Sequence, residues 1–176
     1  MTYLRDLRKL PGAEQSFVVP SGIWVNPEYE GLAASPDFMV FDSREDLSNQ
    51  LGLLEVKCPY NLKDCSPWTF QTTLTKQQQY NFCLKEENGK VVLKKTHPYH
   101  FQVQMQMAIT KLSWCDLMIY SEHGYIKLRI RYDEELWSQM QPKLHDFYKN
   151  FMLPEMVEMR IPRGLLPLNL SICNNN

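Results

Sequence analysis

Two apolar runs that carry acidic residues constrain this chain more than any other part of its sequence. Asp37 lies in the first run, and Glu55-Val56-Lys57 lies in the second. The polar residues 42–50 between them are typical of a hairpin loop. If the runs pair as neighbouring strands, both carboxylates and the ammonium of Lys57 meet at one end of a sheet. Carboxylates bind Mg²⁺, so this pattern favours a metal site suited to phosphodiester hydrolysis.

An ordinary surface hairpin is the alternative interpretation, since an Asp followed by Glu-x-Lys is usually solvated. The apolar neighbours favour the metal site. Two leucines precede Glu55, and Val56 separates it from Lys57, so we expect a largely buried strand. A charged pair in a buried strand needs a partner, and a metal ion is one. Lys57 shares a strand face with Glu55, where it can orient or deprotonate the attacking water.

Composition indicates a globular protein without a strong overall charge. The length of 176 residues suits one domain, and 44% of the residues are apolar. The net charge of −1 does not by itself indicate a nucleic-acid partner. Five cysteines without a C-x-x-C pair favour a reducing compartment, so we expect an intracellular protein, nuclear or cytoplasmic. No run approaches the roughly 20 apolar residues that span a bilayer, so no membrane partner is expected.

Turn and cap signals divide the chain into helices and strands. Asn88-Gly89 is typical of a tight hairpin turn, because both of its residues need positive φ. His97-Pro98 is expected to open the longest helix, and residues 17–25 to form two short strands or a hairpin. The full order of elements predicts the α/β (α+β) class, with a mixed central β-sheet flanked by helices.

Three motifs agree, in order and spacing, with those of one nuclease family. They are G-L-A-A-S-P-D, G-L-L-E-V-K-C-P-Y and H-P-Y-H-F-Q-V-Q-M-Q-M. The chain resembles the lambda exonuclease, or YqaJ viral recombinase, family of the PD-(D/E)xK nuclease superfamily over about residues 22–155. W-C-D-L-M-I-Y and L-H-D-F-Y resemble its metazoan and transposon-borne members. The resemblance implies a restriction-endonuclease-like core, with one nuclease-like domain over residues 1–160 and a tail over residues 161–176.

The resemblance also implies an activity and its residues. It implies a metal-dependent DNA nuclease, exonuclease-like, viral or transposon-derived, that acts in recombination or repair with Mg²⁺ or Mn²⁺. The metal-binding acids match Asp37 and Glu55, the backbone-carbonyl ligand matches Val56, and the catalytic lysine matches Lys57.

Further residues follow from the third motif and from Ser35. The family's active-site glutamine, which lies on a helix, matches Gln102; a surface amide is the alternative. Tyr99, Gln102 and Gln106 share one helix face, whereas Gln104 points away. Tyr99 and Ser35 are the expected substrate-binding residues.

The chain departs from the family pattern before and after S-P-D. The usual glycine after this motif is Phe38. An upstream helix of the family carries a metal-proximal glutamate, and that position falls at Tyr3 or Leu4; the acids Asp6 and Glu14 do not match the motif. We therefore expect the domain to lack the usual N-terminal helix and 5′-phosphate anchor. A catalytically weakened or inactive DNA-binding or interaction module is the alternative function.

The expected partner is DNA, most simply at duplex ends. Lys127, Arg129 and Arg131 alternate along one predicted strand, so they form either a phosphate-contacting patch or a row of solvated charges. Members of the family can form rings around DNA, so a homo-oligomer and a single-strand annealing or recombination partner are further candidates.

Overall fold

The computed structural model describes residues 2–165 and centres on a mixed β-sheet. Its strands are β1 (Phe17–Pro20), β2 (Trp24–Val25), β3 (Ala33–Ala34), β4 (Phe38–Phe41), β5 (Leu51–Lys57), β6 (Leu84–Glu87), β7 (Lys90–Leu93), β8 (Trp114–Ser121) and β9 (Gly124–Arg131). Its α-helices are α1 (Thr2–Leu7), α2 (Phe70–Thr73), α3 (Lys76–Asn81), α4 (Pro98–Thr110), α5 (Glu134–Phe147) and α6 (Leu153–Glu158). Two 3₁₀ turns (Tyr60–Leu62 and Pro67–Thr69) and a π-helical turn (Tyr148–Met152) complete it.

The central sheet has the strand order β1-β4-β5-β8-β9. The β5–β8 pair is parallel, and the other three pairs are antiparallel. This arrangement confirms the predicted mixed sheet with flanking helices. Of the two alternatives predicted for residues 17–25, the two short strands are confirmed as β1 and β2. The hairpin is wrong, because β1 pairs with β4 whereas β2 pairs with β3 in a separate small sheet.

Local sequence explains α4 and the β6–β7 hairpin. Helix α4 begins at Pro98 as predicted, but with 13 residues it is not the longest helix, because α5 has 14. His97 caps α4 by accepting a hydrogen bond from the amide of Tyr99 (3.2 Å), and a proline occupies the first helical position. Lys111 ends the helix in the left-handed conformation, with φ of 57°. Asn88 and Gly89 both have positive φ, as the predicted tight turn requires.

The central sheet is buried on both faces. Leu53 of β5 faces α4 and packs with Met107, whereas Leu54 faces α1 and packs with Tyr3. All four side chains are at most 2% exposed. Because successive strand residues point to opposite faces, Glu55 lies on the α4 side of β5.

Gly52 allows β5 to lie close to Trp114. A Cβ atom at Gly52 would lie 2.2 Å from atoms of the Trp114 ring, well inside van der Waals contact. The indole N–H of Trp114 donates to the carbonyl of Asn49 (2.7 Å), and the guanidinium of Arg129 lies 3.8 Å from the ring centroid. The ring is therefore fixed, and no side chain fits at position 52.

A buried ion-pair network joins α1 to the sheet. Arg129 donates to both carboxylate oxygens of Asp116 (2.8 and 2.9 Å) and to Asp42 (3.1 Å). The hydroxyl of Tyr3 also donates to Asp116, at 2.6 Å. Arg129 does share a strand face with other basic residues, as predicted, but these ion pairs engage its guanidinium. Arg129 is therefore a structural group rather than an exposed phosphate contact.

The network changes the protonation of its acids. Burial disfavours ionisation of Asp116, but hydrogen bonds from Arg129 outweigh it and lower the pKa of this carboxyl group. Burial likewise opposes ionisation of Asp42, yet hydrogen bonds from Arg44 and Arg129 hold its pKa at about 2. Both acids are thus charged at neutral pH.

The end of the predicted tail lies outside the described residues. Residues 161–164 form turns, and residues 166–176 are not described. Among residues 2–165, no helix combines the length and apolar character that a membrane crossing requires.

Candidate active site

Strand pairing brings Asp37 next to Glu55. Phe38 of β4 lies opposite Leu54 of β5 in an antiparallel register, so the next residues in line are Asp37 and Glu55. The Oδ2 atom of Asp37 accepts a hydrogen bond of 2.8 Å from the amide N–H of Val56. Two residues that the sequence predicts as metal ligands are thereby in direct contact.

Regular pairing of β4 with β5 ends at Phe38 and Leu54, so Asp37 and Val56 lie just beyond the last pair. The hydrogen bond from the Val56 amide to the Asp37 carboxylate continues the contact between the two segments past that point.

Glu55 is buried and receives three hydrogen bonds. Its side chain is on the α4 face, and the residue is 4% exposed. Oε1 accepts from Nζ of Lys57 (2.6 Å) and from Nε2 of Gln102 (2.7 Å). Oε2 accepts from Nε2 of Gln106 (2.9 Å). The predicted residues Glu55, Lys57 and Gln102 thus form one cluster, and Gln102 is not a surface amide.

Gln106 was not among the predicted site residues. The spacing of four positions between Gln102 and Gln106 puts both on one helix face, and this signal was available in the sequence. The spacing could not show that the Gln106 side chain contacts Glu55, because Gln106 is buried and this contact depends on how α4 packs against β5.

Of the two predicted substrate-binding residues, only Tyr99 meets this cluster. Its half-buried ring lies below Lys57, with Nζ 5.0 Å from the ring centroid, in cation–π geometry. Ser35 is exposed, and within residues 2–165 its side chain makes no hydrogen bond.

A cavity of about 560 Å³ opens beside Asp37 on the α1 side of the sheet. It is lined by Thr2, Tyr3, Asp37, Phe38, Val56, Cys58, Met118 and Tyr120. Tyr3, one of the two residues at which the family's glutamate position is predicted to fall, therefore shares the cavity with Asp37, but its hydroxyl is bound to Asp116. Asp6, which accepts from Tyr125, and Glu14, which accepts from the amide of Gly12, do not line this cavity.

The oxygen atoms predicted as ligands at this end of the sheet are of the type that divalent metal ions take. They are the carboxylates of Asp37 and Glu55 and the carbonyl of Val56. Among residues 2–165, no group of three or more His, Cys, Asp or Glu side chains is close enough to hold a metal. Mg²⁺ keeps several waters and commonly binds one or two carboxylates, so the chemistry of the predicted set is compatible with such an ion.

Comparison with known proteins identifies the family. The model of the YqaJ-like viral recombinase domain matches residues 13–113, which is more than half of the chain. The chain belongs to the YqaJ-like viral recombinase domain family. A search of the curated proteins found no match.

Two solved structures resemble this YqaJ-like domain. They are the alkaline exonuclease LHK-Exo from Laribacter hongkongensis, with a TM-score of 0.51, and its complex with dAMP, with a TM-score of 0.52. Each is 25% identical, and the match covers 93% of this chain and 71% of the other. The predicted family and the restriction-endonuclease-like fold are thus confirmed. The roles of the individual site residues remain predictions.

Proposed function

We propose that this YqaJ-like domain is a metal-dependent DNA nuclease that hydrolyses phosphodiester bonds at duplex ends. The observation that carries the proposal is the arrangement at one end of the sheet: Asp37, just before β4, accepts from the amide of Val56, and Glu55, the neighbour of Val56 on β5, is paired with Lys57. The family and the alkaline exonuclease structures support a nuclease that acts in DNA recombination. The complex of that exonuclease with dAMP supports DNA as the substrate.

Asp37, Glu55 and the carbonyl of Val56 would hold Mg²⁺ or Mn²⁺. When bound, such an ion lowers the pKa of a water ligand and offsets negative charge on the phosphate. Asp37 is held in place by its hydrogen bond from Val56, and Glu55 by its three donors. The ligands are therefore oriented before any substrate binds.

Lys57 is the residue that we assign to water activation. Its Nζ atom lies 2.6 Å from Oε1 of Glu55, a proposed metal ligand. From there the ammonium would orient the attacking water, or the neutral amine, after loss of its own proton to solvent, would accept the proton of that water. The ring of Tyr99 limits where this ammonium can move. Gln102 would orient Glu55 from the helix side, and Ser35 and Tyr99 would contact the DNA strand.

A linear duplex with a labelled 5′ end tests the proposal. Incubation with Mg²⁺ or Mn²⁺ should release nucleotides or short fragments, and excess chelator should stop the reaction. A covalently closed circular duplex serves as the control substrate, since it has no ends. Full activity in chelator would contradict the metal-dependent mechanism, and equal cleavage of the circle would contradict action at ends.

A DNA-binding module with weak or no catalysis is the second candidate function. The N-terminal residues favour it, because the position of the family's metal-proximal glutamate falls at Tyr3 or Leu4, and the phenol of Tyr3 is bound to Asp116. Calorimetric titration with Mg²⁺ discriminates between the two functions. A folded protein that binds DNA, binds no metal near millimolar concentration and leaves the duplex intact would favour the module.

Other partners and the location of the protein follow from the same proposal. A homo-oligomer around DNA and a single-strand annealing partner are the assemblies in which an end-degrading nuclease would act in recombination. An intracellular location, nuclear or cytoplasmic, is where its substrate would be found.

A further inference from the structure

Gln106 reaches the catalytic carboxylate from one helical turn beyond Gln102. Its Nε2 atom lies 2.9 Å from Oε2 of Glu55. We infer that Gln106 is a positioning residue of the proposed nuclease: it fixes the carboxylate of Glu55 for metal binding. This inference rests on the proposed function, because it gives Gln106 a role only through the metal-binding role of Glu55.

The distribution of donors over Glu55 makes Gln106 distinct from its neighbours. Lys57 and Gln102 both donate to Oε1, whereas Gln106 donates to Oε2. The last torsion of a glutamate side chain has broad minima and does not by itself fix the two oxygens. One amide on Oε2, opposed to two donors on Oε1, stops rotation of the carboxylate and leaves Oε2 a free lone pair.

Burial indicates that this contact is the main polar interaction of the Gln106 side chain. The residue is 4% exposed, and within the described residues its Oε1 atom has no hydrogen-bond partner. The amide cannot be turned around, because its oxygen would then face the carboxylate oxygen of Glu55. The N–H group of Gln106 is therefore directed to Glu55 by the chemistry of both side chains.

Gln104 is a matched control within the same helix. It is also buried, at 1% exposure, but it points to the other side of α4. Its Nε2 donates to the carbonyl of Arg131 (2.9 Å), and its Oε1 accepts from the amide of Asp133 (2.8 Å). Gln104 thus connects α4 to the segment between β9 and α5 and makes no contact with Glu55.

The test compares Mn²⁺ binding by variants in the absence of DNA. Gln106→Met keeps the length of the side chain and removes its donor, and Gln106→Asn keeps an amide that is too short to reach Glu55. Loss of such an outer partner typically weakens metal binding by about 10–100-fold, and we expect a loss in this range by calorimetry for both variants. Gln104→Met should lower the melting temperature and leave Mn²⁺ affinity unchanged.

The cleavage reaction gives a second readout. Gln106→Met should need a higher Mn²⁺ concentration for half-maximal cleavage, with the KM for DNA unchanged, because Gln106 touches no substrate. Unchanged Mn²⁺ affinity in folded Gln106→Met and Gln106→Asn, alongside lost binding in Asp37→Ala, would overturn the role of Gln106 alone. If the wild-type protein itself bound no Mn²⁺, the proposed metal-dependent function would fall with it.

Discussion

The amide of Val56 donates a hydrogen bond to the carboxylate of Asp37 from 19 positions further along the chain. This contact couples two of the proposed metal ligands, because the carbonyl of Val56 belongs to the same residue as the donating amide. It forms just beyond Phe38, where regular pairing between β4 and β5 ends. The hydrogen bond thereby orients the carboxylate oxygens of Asp37 at the end of the β4–β5 pair.

Asp37→Asn should remove the negative charge of this side chain and keep its hydrogen bond from the Val56 amide. An asparagine oxygen still accepts from the Val56 amide, so we expect a melting temperature close to that of the wild type. Removing a direct ligand should weaken Mn²⁺ binding by more than the about 100-fold that loss of an outer partner can cost. Calorimetry and thermal unfolding on the same samples check both parts. Wild-type affinity in Asp37→Asn would exclude this carboxylate as a ligand.

Lys57→Ala should abolish catalysis while metal still binds. A positioned acid–base group typically contributes about 10²–10⁴-fold to the rate, so cleavage of a linear duplex should fall by that factor. Mn²⁺ affinity should be retained or increased, since the ammonium no longer competes for Oε1 of Glu55. Lys143→Ala, at an exposed position of α5, is the control and should cleave normally. An active Lys57→Ala variant would remove Lys57 from the mechanism.

Tyr3→Phe should destabilise the protein through the buried network. The lost hydrogen bond goes to the buried carboxylate of Asp116, and hydrogen bonds to charged groups contribute about 1.5–3 kcal/mol. Urea denaturation at neutral pH measures the change in free energy of unfolding. Tyr125→Phe, which removes a bond to the partly exposed Asp6, should cost less. Equal losses in the two variants would contradict the special role of the Asp116 network.

The free energy of unfolding should decrease as the pH falls through the range in which Asp42 and Asp116 become protonated. The pKa of Asp42 is about 2 in the folded protein, below its usual 3.8, and that of Asp116 is lowered in the same direction. The unfolded chain therefore takes up protons first, and the stabilisation present above the ordinary aspartate pKa is lost as the pH falls toward the folded value. Thermal unfolding between about pH 5 and pH 2 records this loss. Arg44→Met removes the main partner of Asp42, so its melting temperature should depend less steeply on pH.

Elements with local signals could be predicted from the sequence, whereas pairings between distant segments could not. The β6–β7 turn, the cap of α4 and the β4–β5 hairpin were predicted because the deciding residues are neighbours in the chain. The two short strands over residues 17–25 were among the predicted alternatives, but the partner of β1 could not be predicted, since its pairing with β4 depends on a chain reversal through β2 and β3. Helix α3 was overlooked, although Thr75 and Gln78 form a capping box that is visible in the sequence.

The candidate site shows the same division. Asp37, Glu55 and Lys57 could be predicted because they lie at the ends of two strands joined by one loop. The contact of Gln106 with Glu55 could not be predicted, because it depends on the position of α4 over the sheet. The ion pairs of Arg129 with Asp116 and Asp42 depend on the packing of three strands. The alternation of basic residues alone therefore could not show whether Arg129 contacts phosphate or forms structural ion pairs.

The close approach of Gly52 to Trp114 has a consequence for mutational sensitivity. A strand that slips by two residues keeps its alternation of faces, so hydrophobic patterning alone does not prevent such a slip. Here the slip would bring a side chain against the indole, which leaves space only for a glycine. Gly52, three positions before Glu55, therefore fixes the register of β5. Gly52, which has no side chain, thus helps to determine that Glu55 reaches the end of the sheet with the proposed active site. Substitutions at position 52 should therefore reduce activity as much as substitutions of the acids themselves.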